Sequence, residues 1–224
     1  MKPITVLLAE DHQIVREGFR ALLEHEGDIK VVGEAENGRE AVQLTGKLRP
    51  AVVVMDIAMP LLNGMEATRQ IRKDFPATKV LVLSAHSDEA YVEKVMALGA
   101  SGFLLKQTSS HVLAKAIREV QSGKTYYTPP VSGQTRDRSL DPGGTGKPAS
   151  KANRLSSREV EVLQLIAEGK PNKQVAAELG VSFKTVDKHR QHLMAKLNIH
   201  DIAGLTRYAI AEGIIAGEVR IRIT

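Results

Sequence analysis

Over its first 122 residues the chain switches repeatedly between two hydrophobic periods. Short apolar runs at Ile4–Ala9, Lys30–Glu34, Ala51–Met55, Lys79–Leu83 and Gly102–Leu105 alternate with stretches of helical period at His12–Glu24, Gly38–Lys47, Gly64–Lys73, Asp88–Leu98 and Ser109–Ser122. The runs are short and rich in Val, Leu and Ile, as in strands covered on both faces. Five strands alternating with five helices imply a parallel sheet with right-handed crossovers and helices on both sides. In the first helix Ile14, Phe19, Leu22 and Leu23 are expected to form the buried face, with Arg16, Glu17, Arg20 and Glu24 largely off it. In the last, Val112, Leu113, Ala116, Ile117 and Val120 take that role. Such sheets place their functional site at the carboxyl ends of the strands.

Those ends carry polar residues. Strand one runs into Glu10-Asp11, strand three into Asp56, strand four into Ser84-Ala85 and strand five into Leu105-Lys106. Singly, each has a bland explanation: an Asp ending a strand caps a turn, a Ser caps a helix, a Lys leads into solvent. Together they bring three carboxylates, a hydroxyl and an ammonium to one edge. Carboxylates so close raise one another's pKa unless a cation sits among them. Oxygen ligands open to water favour Mg²⁺.

These residues resemble the receiver domain of bacterial two-component response regulators over residues 4–122. The motifs are Leu8-Ala9-Glu10-Asp11-His12, Val54-Met55-Asp56-Ile57-Ala58-Met59-Pro60 with Asn63-Gly64, Leu83-Ser84-Ala85, and Gly102-Phe103-Leu104-Leu105-Lys106. The resemblance implies a flavodoxin-like, doubly wound, five-stranded parallel domain. It implies that Asp56 accepts a phosphoryl group from a sensor histidine kinase. Asp11 would bind Mg²⁺ directly with Glu10 supporting it, and Asp56 and the backbone carbonyl of Ala58 would add metal oxygens. Lys106 would pair with the phosphoryl oxygens and Ser84 would hydrogen-bond to them. Pro60 and Gly64 are expected to shape the loop after Asp56, one by fixing φ and the other by permitting unusual φ. Ser84 and Phe103 form the expected switch, a ring that swings inward after Ser84 moves. The alternative is that Phe103 packs a sheet edge. Many relatives have Tyr there, and a polar side chain at Ala58.

Residues 129–153, PPVSGQTRDRSLDPGGTGKPASKAN, hold only Val131 and Leu140 as large apolar residues. Such a stretch cannot bury enough surface to offset its ordering entropy. The chain is therefore expected to divide into a domain at 1–126, a flexible linker at 127–153 and a second domain at 154–224. Charge follows the same division. Residues 1–126 carry 16 basic and 16 acidic residues, and 127–224 carry 15 and 10, so the net +5 falls in the second part. That asymmetry suggests a polyanionic partner.

The second part reads as four helices. Ser157–Glu168 opens with a capping-box spacing, Ser156 to Glu159, and buries Val160, Leu163, Leu165 and Ile166. Asn172–Leu179 is capped by Asn172 and closed by Gly180. A third helix follows Ser182 and runs to Leu197, with Val186, His189 or Arg190, Leu193 and Leu197 inward. The fourth spans Ile202–Glu212. A short helix, a Gly-bearing turn and a long basic helix make a helix-turn-helix. On the long helix Lys184, Lys188, Arg190 and Lys196 outweigh Asp187.

This segment resembles the LuxR-type helix-turn-helix of the NarL/FixJ response regulators over 155–212. The matching stretches are Leu155-Ser156-Ser157-Arg158-Glu159, Glu168-Gly169-Lys170-Pro171-Asn172-Lys173, Val175-Ala176 with Leu179, and Thr185-Val186-Asp187-Lys188-His189 with Lys196-Leu197. The resemblance implies a transcription factor that binds double-stranded promoter DNA as a dimer, its third helix in the major groove. Asp187, Lys188 and Gln191 are the candidates for base contacts, and Lys173, Lys184, Thr185 and His192 for phosphate contacts. Many relatives have Lys where this chain has Asp187.

The expectation is a phosphorylation-controlled transcription regulator that forms a homodimer when phosphorylated. A haloacid-dehalogenase-type enzyme also phosphorylates an Asp at a strand end but uses a second Asp two positions on, where this chain has Ala58, so no enzyme is expected. A helical domain that binds protein rather than DNA is the other alternative. The chain has no cysteine, which excludes a disulfide scaffold, a thiolate zinc site and a cysteine nucleophile. No apolar run approaches the roughly 20 residues of a membrane span, and the first residues hold one basic residue with no long apolar core, so a cytoplasmic protein without membrane contact is expected. The tail Glu218–Thr224 alternates like a strand and suggests no function.

Overall fold

The computed structural model describes residues 2–85, 89–127 and 155–215. The chain divides into two compact units, Met1–Gly143 and Gly144–Thr224. The N-terminal unit alternates β1 (Ile4–Ala9), α1 (Gln13–Glu24), β2 (Ile29–Ala35), α2 (Gly38–Leu48), β3 (Val52–Asp56), α3 (Gly64–Asp74), β4 (Lys79–Ser84), α4 (Glu89–Ala97), β5 (Gly102–Leu105), α5 (Ser110–Gln121) and β6 (Tyr126–Tyr127). All pairings are parallel, in the order β2-β1-β3-β4-β5-β6.

The alternation of side chains along each strand builds two cores. Val6, Leu8, Val52, Val54, Leu81, Leu83 and Leu104 face one side, against Leu23 of α1 and Leu113, Ile117 and Val120 of α5. Leu7, Ala9, Val53, Met55, Val80, Val82 and Phe103 face the other, against α2, α3 and α4. Both faces are dry, which is why the strands read as apolar runs rather than as alternating ones.

Two expectations are corrected here. The sheet has six strands, not five: Tyr126 and Tyr127 pair with Gly102 and Phe103. Phe103 is therefore not on an edge. In α1 the buried line runs through Arg16, the half-buried Phe19 and Leu23, while Ile14 is 85% exposed and Leu22 44%. Ile14 lies about 200° from Arg16 around the helix, so burying the arginine turns the isoleucine outward.

The C-terminal unit contains α6 (Ser157–Ala167), α7 (Asn172–Leu179), α8 (Phe183–Leu197) and α9 (Ile202–Ala211). The capping box at Ser156 and Glu159 is formed. Val162, Leu163, Leu165 and Ile166 fill the centre with Val175, Leu179, Val186, Leu193 and Leu205. Val160 is only half-buried and Val162 takes its place. Gly180 ends α7 in the left-handed region at φ 61°. Asn172 is not the cap of α7. Pro171 occupies that position, and Asn172 lies inside the helix and accepts a hydrogen bond from Arg190 Nη1 at 3.1 Å. The stretch from 128 to 154, which holds nearly all of the expected linker, and the tail Glu218–Thr224 lie outside the described residues. No helix among the described residues is long and apolar enough to cross a membrane.

One glycine fixes the strand-end loop. Gly64, the first residue of α3, is not in the left-handed region; its role is close approach, because a Cβ there would come within 1.8 Å of the Asp56 carbonyl oxygen. The unusual φ falls instead on Leu61, at 66°. Gly64→Ala should lower stability in urea unfolding by about 1–3 kcal/mol, the usual cost of overpacking a closed site.

Candidate functional site

The strand order reverses between β1 and β3. The chain leaves β1 toward β2 on one side, and β3 sits on the other, so a crevice opens at their carboxyl ends. Register then aligns the polar residues. Ala9 pairs with Met55, which sets Glu10 beside Asp56, and Ser84 pairs with Leu105, which sets Lys106 one residue beyond. The Lys106 ammonium bridges two carboxylates: Nζ lies 2.7 Å from Glu10 Oε2 and 3.0 Å from Asp56 Oδ2. The Ile57 amide donates to Asp56 Oδ1 at 2.8 Å. His12 joins the cluster, its Nδ1 3.0 Å from Glu10 Oε1 and 2.9 Å from Asp11 Oδ1. Glu10, Asp56 and Ser84 are buried, and Ala58 stands exposed in the loop beyond Asp56.

Burial first, then the negative charges of Glu10 and Asp11, push the Asp56 carboxyl above the ordinary carboxylate range, with Lys106 opposing them. Burial pulls the Lys106 ammonium down, but Asp56 and Glu10 outweigh it and hold it above its usual value. The pocket is thus a place where negative charge is crowded and only partly compensated.

In the C-terminal unit one face of α8 is open. Lys184, Lys188, Gln191 and His192 are exposed there, and Thr185 and Asp187 are half-exposed. Ser182, Lys184, Thr185, Lys188, His189 and His192 line a shallow groove. Gln191 Nε2 donates to Asp187 Oδ2 at 2.9 Å, and the Thr185 and Ser182 hydroxyls lie 2.8 Å apart. Lys173 is exposed on α7, outside that groove. Two basic residues counted toward this face have other tasks. Lys196 Nζ reaches Glu159 Oε2 at 2.7 Å and Arg190 reaches Asn172, so both tie α8 to its neighbours.

Residues 6–118 match the response regulator receiver domain, and residues 153–209 match the bacterial regulatory proteins of the luxR family. The chain is a LuxR-family response regulator. It is 37% identical to the transcriptional regulatory protein DegU of Brevibacillus brevis, over 98% of this chain and 96% of the relative. A solved structure of the Salmonella typhimurium RcsB response regulator superposes with a TM-score of 0.55 at 32% identity, covering 94% of this chain and 100% of that one. A structure of two RcsB dimers bound to two parallel DNAs gives 0.55 at 30% identity, covering 92% and 98%.

In this response regulator the receiver brings Glu10, Asp11, Asp56 and Lys106 into one cluster, with Ser84 at the neighbouring strand end. Phe103 is 2% exposed and packs within the core beside β6. Its ring lies inward in this structure. Sequence reasoning gave His12 no role, although its neighbours Glu10 and Asp11 are the signal that would find it. It also passed over Phe183, 57% exposed at the start of α8 and four residues before Asp187.

The raised Asp56 pKa has a stability consequence. A carboxyl whose folded value is raised binds its proton more tightly in the folded state, so stability falls as pH rises from the ordinary carboxylate range through the raised value. Asp56→Asn removes that cost. The variant should unfold at a higher temperature than wild type at pH 7.5, and its advantage should shrink as the pH is lowered toward 4.

Proposed function

We propose that Asp56 is the phosphoryl acceptor of this receiver and that its modification by a sensor histidine kinase controls dimerisation and DNA binding. The observation that carries this reading is the Lys106 bridge between Asp56 and Glu10 at the strand ends. A carboxylate oxygen of Asp56 attacks the phosphorus, an acyl phosphate forms, and the donor's imidazole leaves. Lys106, already 3.0 Å from Asp56, then pairs with the phosphoryl oxygens, and the Ser84 hydroxyl donates to them.

The donor set fits Mg²⁺. Three carboxylates meet with one ammonium among them, and the Asp56 carboxyl is pushed up by burial and by its acidic neighbours. Asp11 and Asp56 would hold the ion, with Glu10 supporting and the Ala58 carbonyl adding an oxygen. When bound, the ion neutralises charge on the transferring group. Of the residues themselves, Lys106 opposes the rise in the Asp56 pKa and would orient the entering anion.

We further propose that the exposed face of α8 enters the major groove of double-stranded promoter DNA, which makes the cytoplasm the working compartment. Asp187, Lys188 and Gln191 would read bases, and Lys173, Lys184, Thr185 and His192 would hold phosphates. Residues 155–224 carry 10 basic and 8 acidic residues. So slight an excess favours a homodimer, in which two tethered modules on adjacent half-sites raise their effective concentration. This assigns a regulator, not an enzyme.

Phosphate labelling from a small phosphodonor tests the pocket. Asp56→Asn should abolish uptake while the fold persists, and chelation should abolish it in wild type until Mg²⁺ or Mn²⁺ is restored. Full labelling of the Asn variant would move the acceptor elsewhere. On DNA selected from a random pool, Lys184→Ala should weaken all sequences alike and reduce the salt slope by about 1, whereas Gln191→Ala should relax preference at one base pair at a cost of about 1–3 kcal/mol. Equal affinity and mass for the phosphorylated and unphosphorylated chains would overturn the coupling.

A further inference from the structure

The sequence placed Arg16 on the solvent face of α1, yet its side chain is 8% exposed. Its planar guanidinium has three fixed acceptors. Nη1 donates to the Glu10 backbone carbonyl at 2.7 Å, Nε to Glu34 Oε2 at 3.1 Å and Nη2 to Glu36 Oε1 at 2.8 Å. The Glu10 carbonyl belongs to the peptide that leads into Asp11. The other side of Glu10 is pinned too, because its amide donates to the Ala35 carbonyl at the end of β2 at 3.0 Å. The backbone that aims both carboxylates is therefore held from two directions, and Arg16 supplies one of them.

We propose that Arg16 is a positioning residue for the divalent-cation site, orienting the Glu10–Asp11 peptide through the Glu10 carbonyl while Glu34 and Glu36 hold its own fork in place. The inference rests on the reading of the pocket as a cation site. Geometry rather than charge is the mechanism. Glu34 and Glu36 sit against the guanidinium and offset its charge, so little of it is left to act on the pocket. Three divergent acceptors need the rigid fork of arginine, which lysine cannot reproduce. Arg20 offers a built-in control. It also pairs with Glu34, through Nη1, and with Glu24, but its bonds go to those two surface carboxylates and not to Glu10.

The test is Mn²⁺ titration of the full chain, with free Mn²⁺ followed by its electron paramagnetic resonance signal. Wild type and Arg20→Gln should bind alike. Arg16→Gln and Arg16→Lys should each weaken binding about tenfold or more, the usual effect of removing a group that orients metal ligands. The Mg²⁺ concentration for half-maximal phosphorylation should rise in step, with the maximal rate at saturating Mg²⁺ preserved, a split that general destabilisation would not produce. Wild-type affinity in Arg16→Lys would overturn the geometric mechanism, and wild-type affinity in Arg16→Gln would overturn the inference altogether. Should the Arg16 variants fail to fold, Glu36→Gln decides at an exposed position: it loosens the fork from outside and should weaken Mn²⁺ binding a few-fold, and unchanged binding would overturn the inference. If wild type itself binds no Mn²⁺, the cation-site reading and this inference fall together; if wild type binds and the variants match it, only this inference falls.

Discussion

Three carboxylates held at the ends of adjacent strands, with one ammonium between two of them, are the constraint around which the receiver is built. Like charges in a poorly solvated crevice oppose folding, so they persist only where the surrounding backbone leaves them no alternative. Here that backbone is a parallel sheet buried on both faces. Its register sets Glu10 beside Asp56, and β5 delivers Lys106 to within reach of both. The same crowding that costs stability leaves the pocket ready for positive charge.

The loop after β3 follows the same logic at the level of the backbone. Gly64 lies so close to the Asp56 carbonyl that no side chain fits, and its amide donates to the Ile57 carbonyl at 2.9 Å. Leu61 takes the left-handed conformation that glycine was expected to adopt. Asp56 is thus fixed by close packing of the loop back onto its own strand.

The helix-turn-helix unit divides its charges between two tasks. Lys196 and Arg190 turn inward, one to the capping glutamate of α6 and the other to α7, and fix how α8 sits on its neighbours. Lys184, Lys188 and His192 turn outward along one groove. A sum of basic residues along the helix counts both groups together, and only the outward group is available to a polyanion.

By itself the sequence determined the alternation of strands and helices, the two-unit organisation and the placement of Glu10, Asp11, Asp56, Ser84 and Lys106 at the strand ends. It could do so because hydrophobic period and strand-end position are local properties, written in consecutive residues. What it did not contain was settled by contacts between residues far apart in the chain. Arg16 is buried because Glu34 and Glu36, on the far side of a turn, and the Glu10 carbonyl all point at it, which in turn leaves Ile14 in solvent. Phe103 is covered because Tyr126 and Tyr127, too short a run to stand out as a strand, pair with β5. Asn172 serves Arg190 rather than its own helix end. In each case a polar or edge group took the partner that tertiary packing put within reach, and no periodicity in the local sequence encodes that distance.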